Sequence, residues 1–251
     1  MIKKAVIAII AIILSGVIVV CGYMVISDKQ EETETIKEYE EMRELAEFPE
    51  NIQEITASEP LPLMDFTALR EKNEEIIGWI TLDDTMIDYP IVQGSNNSYY
   101  LSRSAEKKSS KSGAIFLDYR AEKDFSNFSS VIYGHNMNAG TMFGGLVKFK
   151  DKTYFDEHKT GYLYTPDKTY RLQIISVAIT QPDSEYYRYA FSSEAENQEH
   201  IEMIENTALH WRESEDIDSE DRLLILSTCS YEKKNARTVL VAKLIGVNNG
   251  N

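Results

Sequence analysis

The sequence Leu223-Leu224-Ile225-Leu226-Ser227-Thr228-Cys229 begins as a continuous apolar run and ends in two hydroxyl side chains and a thiol. Packing in a protein core gives no reason for a buried strand to finish in this way. A functional site does, because the end of a rigid strand holds a side chain in a fixed place. The stretch therefore predicts a core strand that carries a candidate nucleophile, Cys229, at its carboxyl end.

Two more candidate residues stand at the ends of apolar runs. Arg237 opens a β-rich run, and the short polar loop that separates it from Cys229 predicts a hairpin in which the guanidinium lies beside the sulfur. His135 closes the run Val131-Ile132-Tyr133-Gly134-His135. Each residue alone also fits an ordinary role, as a small core residue, a solvated cation or a polar cap. Spacing alone leaves both interpretations open.

Composition limits the classes of protein that this chain can form. Its 251 residues, 43% of them hydrophobic, are enough for one good core. The two cysteines, Cys21 and Cys229, lie in settings too different to predict a disulfide. The sequence has no CxxC and no His/Cys cluster, so we expect no zinc site. A formal net charge of −15 argues against a nucleic-acid partner, which would require a basic face.

The distribution of strand-like runs predicts a mainly β fold. Eight short runs separated by turn residues indicate a closed or nearly closed barrel with peripheral helices. Those runs cover residues 79–83, 86–93, 114–119, 131–135, 161–165, 170–180, 223–228 and 238–247. Helices are predicted at 65–77 and 193–211, with a short mixed helical insertion at 141–158. Ser193 and Glu196 have the spacing of a capping box at the start of the longest of these helices.

The amino-terminal region predicts a membrane anchor. Residues 5–26 contain no charged side chain and are long enough to span a hydrocarbon core of roughly 30 Å. Lys3 and Lys4 precede the run and Asp28 follows it, which keeps residues 1–4 in the cytoplasm and the rest of the chain outside. A cleaved signal peptide is the alternative, but the sequence has no clean Ala-x-Ala site. We therefore expect an uncleaved, single-pass anchor in the cell membrane.

An acidic segment follows the predicted anchor. Residues 27–60 contain twelve acidic and three basic side chains, which is typical of a solvated stalk or linker. Apolar side chains recur at every third position from Ile36 to Leu45 and predict one amphipathic helix within it. The prolines of the Glu59-Pro60-Leu61-Pro62 segment mark its end. The predicted folded domain then covers residues 61–251.

The three candidate residues would support acyl transfer through a thioester. The thiolate is the nucleophilic form of cysteine, and a nearby cation favours it. Arg237 can supply that cation and can donate to the oxyanion of a tetrahedral intermediate. His135 can protonate a leaving amine and deprotonate an incoming one. The residues directly after Cys229 are Ser230 and Tyr231, so no nearby carboxylate is evident as a partner for His135.

These segments resemble the active-site signatures of the sortases, which are membrane-anchored cysteine transpeptidases of mainly Gram-positive bacteria. The resemblance rests on Ile225-Leu226-Ser227-Thr228-Cys229, on Tyr133-Gly134-His135-Asn136-Met137 and on Arg237, and it extends over roughly residues 66–247. The helix predicted at 193–211, just before the cysteine strand, resembles class B in particular. Ile225 departs from the family pattern, which usually has Thr there.

The resemblance implies an eight-stranded sortase-type β-barrel and a role for each site residue. Cys229 would attack the Thr carbonyl of a C-terminal sorting signal of the Asn-Pro-x-Thr or Ser-Pro-x-Thr type, with His135 as acid and base and Arg237 as oxyanion and substrate clamp. Ser227, Thr228 and Asn136 would line the peptide groove. A peptidoglycan amine would then resolve the thioester and attach the secreted substrate protein to the cell wall, and hydrolysis would occur when no amine is present. The resemblance implies no metal or cofactor.

Two alternatives to wall anchoring stay open from the sequence. In a pilin-polymerising sortase the resolving amine would be a lysine of another protein, although no additional lid segment over the site is evident. An inactive barrel could serve as an adhesion or scaffold module. The intact set of Cys229, His135 and Arg237 argues against that second alternative.

Overall fold

The computed structural model describes residues 2–46, 48, 61–213 and 216–246, with some side chains before residue 33 left out. It divides into two compact units, Met1–Glu40 and Glu41–Asn251, and helix α1 (Ile2–Leu45) runs through the boundary between them. No helix among the described residues is both long and apolar enough to cross a membrane. The side chains of residues 5–13, in the predicted span, and residues 49–60, in the predicted linker, lie outside the described part of the chain.

The second unit is built on a β-barrel. Its strands are β1 (Ile76–Leu82), β2 (Asp88–Val92), β3 (Ile115–Leu117), β4 (Ser129–Tyr133), β5 (Thr160–Tyr164), β6 (Thr169–Thr180), β7 (His210–Trp211), β8 (Arg222–Cys229) and β9 (Arg237–Gly246). The strand order in the sheet is β5-β1-β2-β3-β4-β8-β9-β6-β7, and because β5 also pairs with β6 the first eight strands in this order form a closed barrel. The pairs β2–β3 and β4–β8 are parallel, and the other pairs are antiparallel.

The mainly β prediction is confirmed. All eight predicted strands are present, with their ends displaced by at most three residues. Closure depends on β6, which pairs with β9 along one edge and with β5 and then β7 along the other. An irregularity between Ile174 and Ser176 marks where β6 leaves β5, since a bulge bends a strand and increases its twist. Closure of the barrel buries the side chains of its strands; in β8, for example, Leu223, Leu224 and Ile225 are fully buried.

Short helices and turns lie on the outside of the barrel. They are α2 (Thr67–Lys72), α3 (Lys152–Glu157), α4 (Glu194–Thr207) and the 3₁₀ segments Tyr99–Ser102, Gly144–Lys150 and Glu185–Tyr187. Helix α4 begins at the predicted capping box: Ser193 Oγ accepts from the Glu196 amide at 3.3 Å, and the Glu196 carboxylate accepts from the Ser192 amide at 2.9 Å. Ile201 and Ile204 of α4 pack into the apolar cluster over β4, β8 and β9.

Two predicted helices are too long. The helix predicted at 65–77 ends at Lys72, because Asn73 is extended and its buried side-chain amide donates to Tyr100 Oη at 2.9 Å and to the Ala105 carbonyl at 2.7 Å. The helix predicted at 193–211 ends at Thr207, and the last residues of that range, His210 and Trp211, form β7 instead. In both cases contacts distant in the sequence outweigh the local helical pattern.

The segment that follows residue 40 packs against the barrel near β1 and β2. Arg43 Nε donates to Asp88 Oδ2 at 2.6 Å, and Trp79 Nε1 donates to Asp88 Oδ1 at 2.6 Å. Phe48 meets the Trp79 and Tyr164 rings edge-on, with centroids 5.5 and 5.6 Å apart. The barrel unit therefore includes the last turn of α1 and Phe48 in addition to the strands.

Candidate active site

The hairpin predicted between Cys229 and Arg237 is present. Strands β8 and β9 are antiparallel, and Cys229, the last residue of β8, is the register partner of Arg237, the first residue of β9. Directly opposed residues of an antiparallel pair have Cβ atoms about 4.5–5.5 Å apart and extend to the same face. The pairing therefore holds the thiol and the guanidinium as neighbours at one end of the barrel.

The parallel pairing of β4 with β8 brings His135 to the same end. Tyr133 is the register partner of Ser227, and the Gly134 amide continues the pairing by donating to the Ser227 carbonyl at 3.1 Å. His135 therefore lies two residues beyond the end of β4, level with Cys229, the last residue of β8. Because both strands run in the same direction, their carboxyl ends meet at one edge of the barrel. The sequence shows no sign of this pairing, since about ninety residues separate the two strands.

Side-chain hydrogen bonds tie the His135 segment to the Cys229 strand. Thr228 Oγ1 donates to the Gly134 carbonyl at 2.8 Å, and Asn136 Nδ2 donates to the Cys229 carbonyl at 2.8 Å. The two bonds flank His135 in the chain. They fix the backbone on both sides of the imidazole relative to the backbone of the cysteine.

Gly134 is required by packing. A Cβ atom at this position would lie 2.5 Å from Ile115 Cδ1 and 2.7 Å from Phe143 Cγ. Any larger residue would push the chain away from β3 and from the segment after His135. The glycine that precedes His135 therefore lets the backbone approach the core closely enough to align the histidine with β8.

The His135 ring is oriented by a main-chain carbonyl. Its Nε2 atom lies 2.8 Å from the Leu101 carbonyl oxygen, which can only accept a hydrogen bond. Nε2 therefore carries the hydrogen, and in the neutral ring Nδ1 is the atom free to accept a proton. The 3₁₀ segment Tyr99–Ser102, which includes Leu101, thus supplies the orienting partner that the sequence did not reveal.

The loop between β8 and β9 keeps Arg237 in place. Arg237 Nη1 donates to the Ala236 carbonyl at 3.2 Å, and the Ser230 amide donates to the same carbonyl at 2.9 Å. Lys150 Nζ and Ser230 Oγ both bond to the Glu232 carboxylate. Partial burial raises the pKa of Glu232, but the bonds to Lys150 and Ser230 outweigh it and lower that pKa to about 2. The ionised Glu232 therefore links this loop to the segment Gly144–Lys150.

One cleft of about 330 Å³ unites five of the six predicted site residues. Its walls include Cys229, His135, Arg237, Ser227 and Thr228. Asn136 lies beside the cleft, with its amide directed to the Cys229 carbonyl. The other walls also include residues that no sequence motif indicated, namely Asn97, Leu101, Arg120, Pro182 and Tyr187. In the sequence, the only sign of this part of the cleft is the pair of adjacent tyrosines, Tyr186 and Tyr187, within the polar segment 181–190.

A stacked pair of tyrosines lines the cleft. The Tyr133 and Tyr187 rings are parallel within 13°, with centroids 6.1 Å apart, and Tyr187 Oη shares a 2.8 Å hydrogen bond with Ser227 Oγ. Burial raises the pKa of Tyr187, and burial together with the negative charge of Asp118 raises the pKa of Tyr133. Both phenols therefore stay neutral at physiological pH and keep their hydrogen-bonding protons.

A buried carboxylate binds three of the residues that line the cleft. Asp118 is 2% exposed and accepts five hydrogen bonds, three from Arg120 and one each from Asn97 and Tyr133. Burial alone would raise the pKa of Asp118, but the bonds from Arg120, Asn97 and Tyr133 outweigh it and lower that pKa. The ionised Asp118 thus holds three residues of the cleft wall together.

Within the described ranges, 2–46, 48, 61–213 and 216–246, no group of three His, Cys, Asp or Glu side chains has the arrangement of a metal site. The cleft contains a thiol, an imidazole and a guanidinium. A thiol opposite a guanidinium, with an oriented imidazole in the same cleft, can form and resolve a thioester by the general routes of nucleophilic and acid–base catalysis.

Comparison with known proteins places this chain in one family. The Sortase domain model matches residues 80–245. A curated relative, sortase B of Listeria monocytogenes, is 32% identical over 179 residues, covering 70% of this chain and 72% of the relative. Bacillus anthracis sortase B in complex with AAEK1 superposes with a TM-score of 0.74 at 33% identity, covering 86% of this chain and 99% of that one. A Staphylococcus aureus sortase B–substrate complex superposes with a TM-score of 0.74 at 29% identity, covering 88% and 99%.

The chain belongs to the sortase family, whose members are cysteine transpeptidases. Within the family it is a class B sortase, since the curated relatives and the structures described above are sortases B. The predicted resemblance is thereby confirmed at the level of family and class.

Proposed function

We propose that this protein is a cell-surface transpeptidase that cleaves a C-terminal sorting signal of secreted proteins and joins them to a peptidoglycan amine. The observation that carries the proposal is the register pairing of Cys229 with Arg237 at the mouth of the cleft that His135 also lines. Membership in a family of cysteine transpeptidases supports the same chemistry.

In the proposed first step, the Cys229 thiolate attacks the carbonyl carbon of the threonine in an Asn-Pro-x-Thr or Ser-Pro-x-Thr signal. A carbon–sulfur bond forms, and the carbonyl electron pair moves onto oxygen. Arg237 donates to that oxygen. Its Nη1 is already engaged by the Ala236 carbonyl, so Nε and Nη2 are the donors that remain for substrate. Preorganised donors of this kind lower the barrier because they need no rearrangement as charge develops.

His135 completes the step as an acid. Collapse of the tetrahedral intermediate breaks the carbon–nitrogen bond, and the imidazolium transfers its Nδ1 proton to the leaving amine. The Leu101 carbonyl accepts from Nε2 in both the neutral and the charged ring, so it keeps the ring oriented while Nδ1 loses and gains its proton. The product is a Cys229 thioester of the substrate protein.

In the second step an acceptor amine attacks the thioester carbon. His135, now neutral, takes a proton from that amine at Nδ1, and collapse of the second tetrahedral intermediate expels the Cys229 thiolate and leaves an amide. Water in place of the amine would give hydrolysis, the activity of a cysteine protease. We infer that Ser227 and Thr228 contribute to the peptide groove mainly through their backbone and carbon atoms, since their hydroxyls bond to Tyr187 and Gly134.

Mass spectrometry of the reaction product tests this function. Incubation of the protein with a sorting-signal peptide and an amine should give a product cut after threonine and carrying the amine in amide linkage. A peptidoglycan stem peptide as the amine donor would test wall anchoring. A cut at another bond, or persistent release of the free acid at saturating amine, would contradict the proposal.

We also propose that residues 5–26 anchor the protein in the cell membrane, with the catalytic domain outside. The charge-free run from Ala5 to Ile26, preceded by Lys3 and Lys4, supports this proposal. We expect the full chain to sediment with membranes and a chain that starts at Ser27 to stay in the supernatant with its activity intact. Cell fractionation with an activity assay checks this expectation, and recovery of the full chain in the supernatant would contradict it.

Replacement of Asn136 by aspartate tests whether its amide positions the nucleophile. A carboxylate cannot donate to the Cys229 carbonyl 2.8 Å away and repels it, so the end of β8 should shift relative to His135. Small misplacements of reacting groups can cost up to roughly 10²-fold in rate. We expect kcat to fall on the order of 10–100-fold, measured as steady-state peptide cleavage, with KM less affected. Asn138, which is exposed in the same loop, provides the matched control: Asn138→Asp should change neither constant appreciably.

A further inference from the structure

Arg120 is a cleft residue to which the proposed chemistry assigns no role. It follows β3 and lines the same cleft as Cys229. The sheet places its ion-pair partner, Asp118, relative to β4. The Asp118 amide donates to the Val131 carbonyl, so Asp118 lies beside a residue that precedes His135 by four positions. At about 3.3 Å per strand residue, that separation is roughly 13 Å, the length of four extended peptide residues.

The Arg120 side chain is held rigidly. Its Nε and Nη2 atoms donate to the two oxygens of Asp118 at 2.8 and 2.7 Å, the two-pronged geometry that guanidinium and carboxylate groups favour. Its guanidinium carbon lies 4.0 Å from the centre of the Tyr189 ring. Asp118 thus occupies one edge of the guanidinium, and the Tyr189 ring covers one face. In the described part of the chain its Nη1 atom has no hydrogen-bond acceptor, which leaves two N–H donors available.

We propose that Arg120 binds a main-chain carbonyl oxygen of the substrate, that of the residue directly preceding the four-residue sorting motif. This inference rests on the proposed function. All four motif residues precede the bond that is cut, and we place them in the cleft that Cys229 and Arg120 both line. Four extended residues have about the same length as the four positions from Val131, beside Asp118, to His135, beside Cys229. The next carbonyl along the peptide then meets the guanidinium.

The charge of the site favours a neutral oxygen over a carboxylate. Asp118 is buried and ionised, and it neutralises the guanidinium through a two-pronged ion pair. The pair as a whole carries no net charge, so its remaining donors gain little from a negative partner. A main-chain carbonyl is present whatever the residue type. Arg120 would therefore lengthen the recognised peptide by one residue without adding a side-chain preference.

A cycle of two enzymes and two peptides tests the inference. One peptide, Asn-Pro-Ala-Thr-Gly-Gly with an acetyl cap, retains the carbonyl that precedes the motif; its des-amino counterpart lacks both that carbonyl and the terminal nitrogen. The wild type should show a KM about tenfold lower for the acetylated peptide, the effect of one hydrogen bond of about 1.4 kcal/mol. Arg120→Lys should raise the KM for the acetylated peptide about tenfold and leave little difference between the two peptides, because one ammonium bound to Asp118 presents no fixed second donor. Its kcat should change less than threefold.

Arg188 offers a matched control. It has the same kind of environment as Arg120: an ion pair with Glu196 at 2.6 Å, the Phe191 ring 4.8 Å away, and 31% side-chain exposure against 30%. It lies outside the walls of the cleft that contains Cys229. Arg188→Lys should preserve the wild-type preference for the acetylated peptide.

The outcomes separate this inference from the function on which it rests. If the wild type converts the peptides and Arg120→Lys retains the full preference for the acetyl group, the inference is wrong and the proposed function stands. If the wild type converts neither these peptides nor their Ser-Pro-Ala-Thr counterparts, the proposed function is wrong and the inference falls with it. A Tm for Arg120→Lys within a few degrees of the wild type excludes unfolding as the cause of a raised KM.

Discussion

Replacement of Cys229 by alanine should abolish transpeptidation and leave the barrel folded. The sulfur is the only heavy atom lost, and Cys229 contributes to the end of β8 through main-chain atoms: the register pairing with Arg237 and the carbonyl that accepts from Asn136. Loss of a catalytic nucleophile costs on the order of 10⁶-fold in kcat where it has been measured in a protease. We expect a loss of at least about 10⁵-fold, measured as the initial rate of peptide–amine ligation, with an unchanged Tm.

The second cysteine provides the control for this experiment. Cys21 is a free, exposed thiol in α1, outside the barrel unit. Cys21→Ala should retain the rate of the wild type, which would exclude a general effect of thiol removal. A transpeptidation rate for Cys229→Ala within tenfold of the wild-type rate would contradict the assignment of Cys229 as nucleophile.

Replacement of Arg237 by lysine should separate the oxyanion role from a role of positive charge alone. Both side chains are cationic, so stabilisation of a thiolate by charge would largely survive the exchange. The guanidinium presents donors in a fixed planar fork, whereas an ammonium is a compact, strongly hydrated charge. Because Nη1 is engaged by the Ala236 carbonyl, the two other nitrogens have a defined direction that lysine cannot reproduce. We expect kcat to fall on the order of 10²–10³-fold, the effect of losing one oxyanion donor, with KM less affected.

Arg222 allows a matched comparison in the same hairpin. It is the first residue of β8, whereas Cys229 is the last, and its guanidinium contacts Tyr170 Oη at 3.3 Å. Arg222→Lys should keep kcat near the wild-type value in the same steady-state assay. A near-normal kcat for Arg237→Lys would refute the oxyanion role and leave only a contribution of charge.

Strands were predictable from the sequence because their signal is local. The run that ends at Cys229 starts with four apolar residues, Leu223 to Leu226, all of which the barrel buries, and turn residues separate the run from its neighbours. The hairpin between β8 and β9 was predictable for the same reason, because its two strands are joined by a short loop. The helix predictions were less accurate at their ends. Asn73 leaves the helical conformation in favour of bonds to Tyr100 and Ala105, about thirty residues away.

Only some of the residues that form the cleft could be predicted from the sequence. Cys229, His135 and Arg237 could be singled out because each has a reactive or charged side chain at the beginning or end of an apolar run. The wall residues Arg120 and Tyr187, and the Asp118 carboxylate that binds Arg120, could not, because they come from the segment after β3 and from the segment before α4. Their hydrogen bonds and ring contacts exist only once the barrel has closed. Asn136 shows the same limit: the resemblance implied contact with the peptide, whereas its amide donates to the Cys229 carbonyl.

The sequence by itself determined the strand pattern, the Cys229–Arg237 hairpin and the family, since these depend on periodicity, turn chemistry and short motifs within the chain. Tertiary structure alone decided how β4 lies beside β8, which atom of His135 is oriented, and which residues complete the cleft. The parallel β4–β8 pair joins segments about ninety residues apart, and the Leu101 carbonyl that orients His135 is a main-chain atom that any residue type would supply. Pairings between distant segments and contacts made by main-chain atoms leave no mark on the identity of the residues involved, so only the folded chain reveals them.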